Sequence, residues 1–189
     1  MRPDGEPARI SSIELVGIGA LPPRLLEALA ERLSRRVSVP CRPRPAPLAG
    51  EPARLADRNG QADADLLLQR LESESGSGGA ILVGVTALDL AIPIFTFVFG
   101  RARHHGNAAL VSLARLDPAF YGLPPDAEIL ARRAVDEILH ELGHVAGLRH
   151  CDDYACLLHF SASVEKVDLR GPGFCAGCAA RLPAALRRD

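Results

Sequence analysis

Apolar positions recur along the chain in two rhythms, one of period two and one of helical period. Ile10–Gly19 (ISSIELVGIG) alternates and ends in glycines, which predicts a strand. Pro22-Pro23 then opens a run in which Leu25, Leu26, Leu29 and Leu33 fall at helical spacing. Val37–Cys41 reads as a short second strand, and the Pro-rich CRPRPAPLAGEP from Cys41 as loop or extended edge. A second helix is expected over Ala62–Leu71, a flexible turn at Ser73–Gly79 and a buried strand over Ala80–Val85 (AILVGV). Phe95–Arg103 and Asn107–Leu113 flank His104-His105-Gly106, the pattern of a β-hairpin with a short loop. After Pro124-Pro125, Asp126 is placed to cap a long helix. Leu130, Ala134, Ile138, Leu142 and Val145 form its apolar stripe, and Gly147 its stop.

This order, β-α-β-α-β-β-β-α, predicts an α/β (mixed α+β) fold in which helices pack on one mixed sheet. One domain is expected over residues 1–189: sheet and helices in 1–125, the long helix and the turn after it in 126–150, and a tail in 151–189. Beyond Gly147 periodicity is lost and Cys, Gly and Asp become frequent, so the tail is read as organised by ligands rather than by a regular core.

Composition narrows the function. A chain of 189 residues with 48% hydrophobic and 24% charged residues builds a core and is not a disordered polymer. Aromatic content of 4% with no Trp offers no base-stacking platform. Lys+Arg 22 against Asp+Glu 23 supplies no basic field for nucleic acid or anionic lipid. The longest apolar run, Ala91–Phe99, is interrupted by Pro93 and Thr96 and is far shorter than the roughly 18 residues of a membrane span. Asp4 and Glu6 stand where a secretory leader carries basic residues. The expectation is a cytoplasmic monomer without nucleic-acid or membrane partners. In a reducing compartment its five cysteines suit metal or redox chemistry better than disulfides.

The chemistry concentrates in HELGHVAGLRH, His140–His150. On a helix His140 and His144 lie one turn apart and project from one face, a geometry that suits two nitrogens on one Zn²⁺. Glu141, rotated about 100° from His140, can address a water at the metal without being forced to ligate it. Gly147 can take positive φ and turn the chain sharply, so that His150 returns as a third ligand. Three protein ligands leave a position open, as catalytic zinc sites do.

A second constellation joins Cys151-x4-Cys156 to Cys175-x2-Cys178. Four thiolates suit a closed tetrahedral zinc site, and adjacent His150 and Cys151 can serve different metals because neighbouring side chains of an extended segment point apart. The alternative is a redox pair Cys175/Cys178, although no convincing strand precedes that motif. Cys41 reads as a lone thiol, His104 and His105 as solvated turn residues, and His159 as exposed or supporting a metal ligand.

His140–Cys178 resembles the archaemetzincin family of zinc metallopeptidases, whose signature joins an extended H-E-x-x-H-x-x-G-x-x-H helix directly to a four-cysteine cluster. The stretch Ile81–Leu116, with FTFVFG and NAALVSLARL, resembles that family's strand and hairpin region, so the likeness covers about half the chain. The resemblance implies a metzincin-like fold with a twisted mixed sheet above the active-site helix. It also implies two zinc ions per chain: a catalytic one on His140, His144 and His150, with Glu141 as general base, and a structural one on Cys151, Cys156, Cys175 and Cys178. Peptide or protein substrates and an aminopeptidase-like activity are implied as well. One position departs from the pattern: Leu158 stands where the family carries the methionine of a tight turn beneath the zinc histidines. The exchange nearly conserves volume.

Substrate is expected to lie against a sheet edge formed by Phe97–Arg103, with Phe97, Phe99 and Gly100 as contacts. The histidine metal should leave first, on mild chelation or near pH 5, because a free imidazole protonates near 6.5. Two rivals remain at this stage: a zinc-stabilised protein that binds a peptide or partner without cleaving it, and a thiol redox protein using Cys175 and Cys178.

Overall fold

In the computed structural model, which describes residues 10–22, 24–44, 60–76 and 78–187, the alternating segment near the N-terminus becomes β1 (Ser12–Ile18). It pairs in parallel with β4 (Ala80–Thr86) along its whole length, from Ser12 opposite Ala80 to Ile18 opposite Thr86. β2 (Cys41–Arg44) adds on the outer side of β1, and β8 (Ala108–Ser112) pairs in parallel with β4. β7 (Gly100–Ala102) runs antiparallel to β8 and closes the order β2-β1-β4-β8-β7.

Period-two alternation distributes the side chains of this sheet between two apolar clusters. Ile13, Leu15, Ile81, Val83, Val85, Ala109 and Val111 face α1 (Leu25–Ser34) and α3 (Ala127–Val145). Val16, Ile18, Leu82, Ala108 and Leu110 face α2 (Ala64–Glu74) and a small second sheet. That sheet is made of β3 (Gln61–Asp63), β5 (Asp89–Ile92) and β6 (Phe95–Val98). The α/β class is as expected, but the described residues form two sheets rather than one.

Several boundaries shift for identifiable reasons. Val37 is buried but lies outside the strand; β2 begins at Cys41, just after the Pro40 carbonyl accepts from the Ile13 N–H at 2.9 Å. Pro43 is tolerated there because an edge strand can lack a donor on its outer side. α2 begins at Ala64 because Gln61–Asp63 are drawn into pairing with β5, and the Asp63 carboxylate then caps the helix by accepting from Leu66 N. FTFVFG divides between the sheets at Phe99: β6 pairs with β5 while β7 pairs with β8. Pro23, Ser77 and residues 45–59, which hold the remainder of the Pro-rich stretch, lie outside the described residues.

The tail departs most from expectation. α4 (Val164–Leu169) and the short α5 (Ala176–Ala179) bring Leu157, Leu158, Val164, Val167, Leu182 and Leu186 into the apolar cluster that α3 occupies. The segment after Gly147 is thus packed on the core by aliphatic side chains as well as by its cysteines. Among the described residues no helix is long and apolar enough to cross a membrane.

Candidate active site

α3 starts where the sequence indicates, with the Asp126 carboxylate accepting from Glu128 N and Ile129 N at 2.9 and 3.0 Å. It ends in the two hydrogen bonds of a Schellman turn, Gly147 N to the His144 carbonyl and Leu148 N to the Gly143 carbonyl, with Gly147 at φ +87°. This turn carries His150 back towards the helix. The imidazole nitrogens of His140, His144 and His150 come within 4.8 Å of one another.

Main-chain carbonyls fix how two of these rings face. His140 Nδ1 donates to the Leu157 carbonyl at 2.7 Å, and His144 Nδ1 donates to the Leu148 carbonyl at 2.8 Å. Each Nε2 is left as a lone pair, and the two stand 3.0 Å apart. Two lone pairs at that distance repel unless a cation lies between them. Zinc–nitrogen bonds of about 2.0–2.1 Å in a tetrahedron bring such nitrogens to roughly 3.3 Å, so the donor set fits zinc. Burial first, then its histidine neighbour His140, depresses His144 to about 3 and His150 to about 4; burial lowers His140 as well. The rings are therefore neutral, as metal ligands must be.

Glu141 lies along the same helix and faces β7. A Cβ built on Gly100 would fall 2.5 Å from Glu141 Oε1 and 2.7 Å from its Cγ, so the carboxylate is seated in the space a side chain at Gly100 would fill. Burial, reinforced by the charge of Glu137, pushes the Glu141 carboxyl well above the usual carboxylate range. That is the direction a base working near neutral pH requires.

Several supporting residues were not evident from the sequence. Arg170 reaches under His140, donating to Glu137 Oε2 at 2.7 Å and to the Leu157 carbonyl at 3.1 Å, so this carbonyl holds both the arginine and the imidazole. Both side chains of the pair are almost fully buried, at 1% and 6% exposure. Leu158 is buried against Gly143, where an added Cβ would meet its Cδ2 at 2.8 Å, so it packs between the turns of helix that carry His140 and His144. The hairpin histidines, expected to be solvated, are exposed but docked. His104 stacks on His144 with ring centres 5.2 Å apart. His105, at φ +56°, fills the space beside Gly147 that any larger residue would need. No local pattern marks these contacts, because each joins a loop to a distant turn.

The four sulfurs of Cys151, Cys156, Cys175 and Cys178 also lie within 4.8 Å of one another, and no disulfide joins them. Cys151 Sγ and Cys175 Sγ are 3.8 Å apart. Zinc–sulfur bonds of about 2.3 Å set tetrahedral sulfurs at about 3.8 Å, so this set fits zinc as well. Burial and the neighbouring thiols push Cys178 above the ordinary thiol range, a penalty that a central divalent cation offsets. His159 belongs to neither cluster: its Nδ1 is 3.0 Å from the Cys151 carbonyl and its ring packs against Tyr154. Cys41 is half-buried on β2, away from both clusters.

A cavity of about 610 Å³ opens over the histidines. It is lined by Phe95, Phe97 and Val98 of β6 and by Gly100 and Arg101 of β7, together with His150 and Phe160, whose ring centres are 5.2 Å apart. Phe97 and Phe99 both border the cavity, but Phe99 is 5% exposed and belongs to the core, so it shapes the wall from behind.

Residues 58–184 match the model of peptidase family M54. Over 123 residues the chain is 43% identical to the archaemetzincin of Methanocaldococcus jannaschii, a stretch covering 65% of this chain and 66% of that protein. The chain thus spans just under two thirds of the curated relative it matches. Among solved structures, a zinc-dependent peptidase from Methanocorpusculum labreanum superposes with a TM-score of 0.79 at 27% identity, covering 90% of this chain and 100% of the other. The archaemetzincin of Methanopyrus kandleri superposes with a TM-score of 0.72 at 33% identity, covering 95% and 96%.

Proposed function

The chain belongs to peptidase family M54, and from that premise we propose that it is a zinc-dependent peptidase that uses Glu141 as its general base. The observation that carries this reading is the convergence of three neutral imidazoles at one point, beside a carboxylate seated on Gly100. His140, His144 and His150 would hold the catalytic zinc, and Cys151, Cys156, Cys175 and Cys178 would hold a second, structural zinc. When bound, the catalytic ion supplies Lewis-acid polarisation of the scissile carbonyl and lowers the pKa of attacking water. Glu141 takes a proton from that water and delivers it to the leaving amine. Its raised affinity for the proton suits it to both halves of the transfer.

The peptide lies extended along β7, the outer strand of the large sheet, and pairs with its free main-chain edge. This places Phe97 at one flank and the scissile bond over the histidines, with Gly100 both on the substrate strand and beneath the base. A binding protein without activity has no use for a carboxylate held in this way. The redox alternative is weakened because Cys175 and Cys178 share one cluster with two further sulfurs.

The test combines metal analysis with Glu141→Gln. The wild-type chain is expected to carry two zinc ions and to cleave peptides. The variant should keep its zinc and its fold while activity falls by about 10²-fold or more. Activity that survives in the variant overturns the mechanism.

A further inference from the structure

Resting on the peptidase reading above, we propose that the cleft recognises a carboxylate of its substrate and that Arg149 is the group that binds it. Five charged side chains line the cavity: Arg101, Glu137, Glu141, Arg149 and Arg170. Arg170 is matched to Glu137 at 2.7 Å, nearly out of solvent. Arg101 is matched to Asp65 at 2.8 Å. Glu141 is committed to the base position. Arg149, exposed between Leu148 and His150, makes no hydrogen bond or ion pair among the described residues. With the two pairs cancelled and Glu141 assigned to proton transfer, the charge left for recognition is this one guanidinium.

A guanidinium fork suits the two oxygens of a carboxylate. A substrate α-ammonium, by contrast, finds no spare carboxylate: Glu137 is tied to Arg170 and Glu141 is the base. The wall is therefore better matched to an acidic substrate group than to the free amine an aminopeptidase must hold. Because Arg149 lines the same cavity as His140, His144 and His150, the recognised carboxylate lies in the cleft that holds the scissile bond.

That carboxylate is either the substrate's own C-terminus or an Asp or Glu side chain, and three labelled peptides separate the sources. One has a free C-terminal carboxylate and no acidic residue, one is C-terminally amidated with a single Glu, and one is amidated with Gln in its place. Their affinities are read by fluorescence anisotropy on zinc-loaded Glu141→Gln protein, alone and combined with Arg149→Ala or Arg149→Lys. At least one acidic peptide is expected to bind about two- to fivefold tighter than the neutral one, the scale of an exposed ion pair. The advantage should vanish with Arg149→Ala and be kept only in part with Arg149→Lys, which retains the charge but not the fork. Equal affinity for all three peptides, or an advantage that persists with Arg149→Ala, overturns the proposal. Cleavage of the same peptides by the wild type is followed in parallel. Cleavage without any acidic preference in binding leaves the peptidase reading standing and removes this one. Arg149-dependent binding without cleavage does the reverse.

Discussion

The two candidate metal sites are built from adjacent residues, His150 and Cys151, yet they stand on different foundations. Two of the three histidines, His140 and His144, sit on a 19-residue helix whose inner face is buried in the main apolar cluster, and both of those rings are oriented by main-chain carbonyls. The fold itself orients these rings, whatever ion they hold. The cysteines come from loops and a four-residue helix, and four mutually close thiols have no reason to stay together without a cation. On the proposed reading, one chain would use a metal as a reagent at one site and as a cross-link at a site that begins one residue further along the sequence. The cross-link is not acting alone, since Leu157, Leu158, Val164 and Val167 also anchor the tail.

The sharpest way to break this contrast is Cys178→Ser. Loss of one thiolate should release the structural zinc and lower Tm by about 10 °C or more, on the scale of several kcal/mol of ligation in a chain of this size. Helical circular dichroism from α3 should persist. His150 should be held less firmly because it adjoins Cys151, so affinity at the histidine site should fall too. Unchanged Tm, with one zinc still resistant to chelator, would show that the cysteine cluster is not a structural metal site.

Gly100→Ala probes the histidine side without touching a ligand. The added methyl must displace the Glu141 carboxylate, and an error of about 1 Å in a catalytic group costs up to about 10²-fold in rate. Zinc content and Tm should stay close to wild type. If activity is retained, the seat of Glu141 on β7 has no catalytic meaning.

The smallest effect concerns acid. In metal-free protein, burial holds His144 at about 3 and His150 at about 4, below the roughly 6.5 of an unfolded chain. Between those values the unfolded state binds protons that the folded state refuses. Stability should therefore be flat above about pH 6.5, fall as pH drops below it and stop falling once the folded groups titrate near 3–4. Thermal melts of chelator-treated protein at pH 7.5, 6 and 5 test this, and a Tm that is constant or rises towards pH 5 contradicts it. The same burial alters the expectation that pH 5 strips the histidine metal. Closed rings resist protonation there, so release at pH 5 must wait for the site to open.

Much of the candidate site was legible without coordinates. The i, i+4 histidines, Asp126 as a cap and Gly147 at positive φ are local requirements of helix geometry, so spacing alone reveals them. The same holds for the four cysteine positions and for the period-two strands β1, β4 and β8. Tertiary structure alone decided what holds these residues in place. It set the Leu157 carbonyl under both His140 and Arg170, the Arg170–Glu137 pair, Gly100 beneath Glu141 and the hairpin tip on His144 and Gly147. It also divided FTFVFG between two sheets and packed the tail on the core. Each of these is a contact between segments remote in sequence, selected by packing and by the need to satisfy buried polar groups. Periodicity and ligand spacing describe one segment at a time, and they carry no record of which distant backbone will come to lie against it.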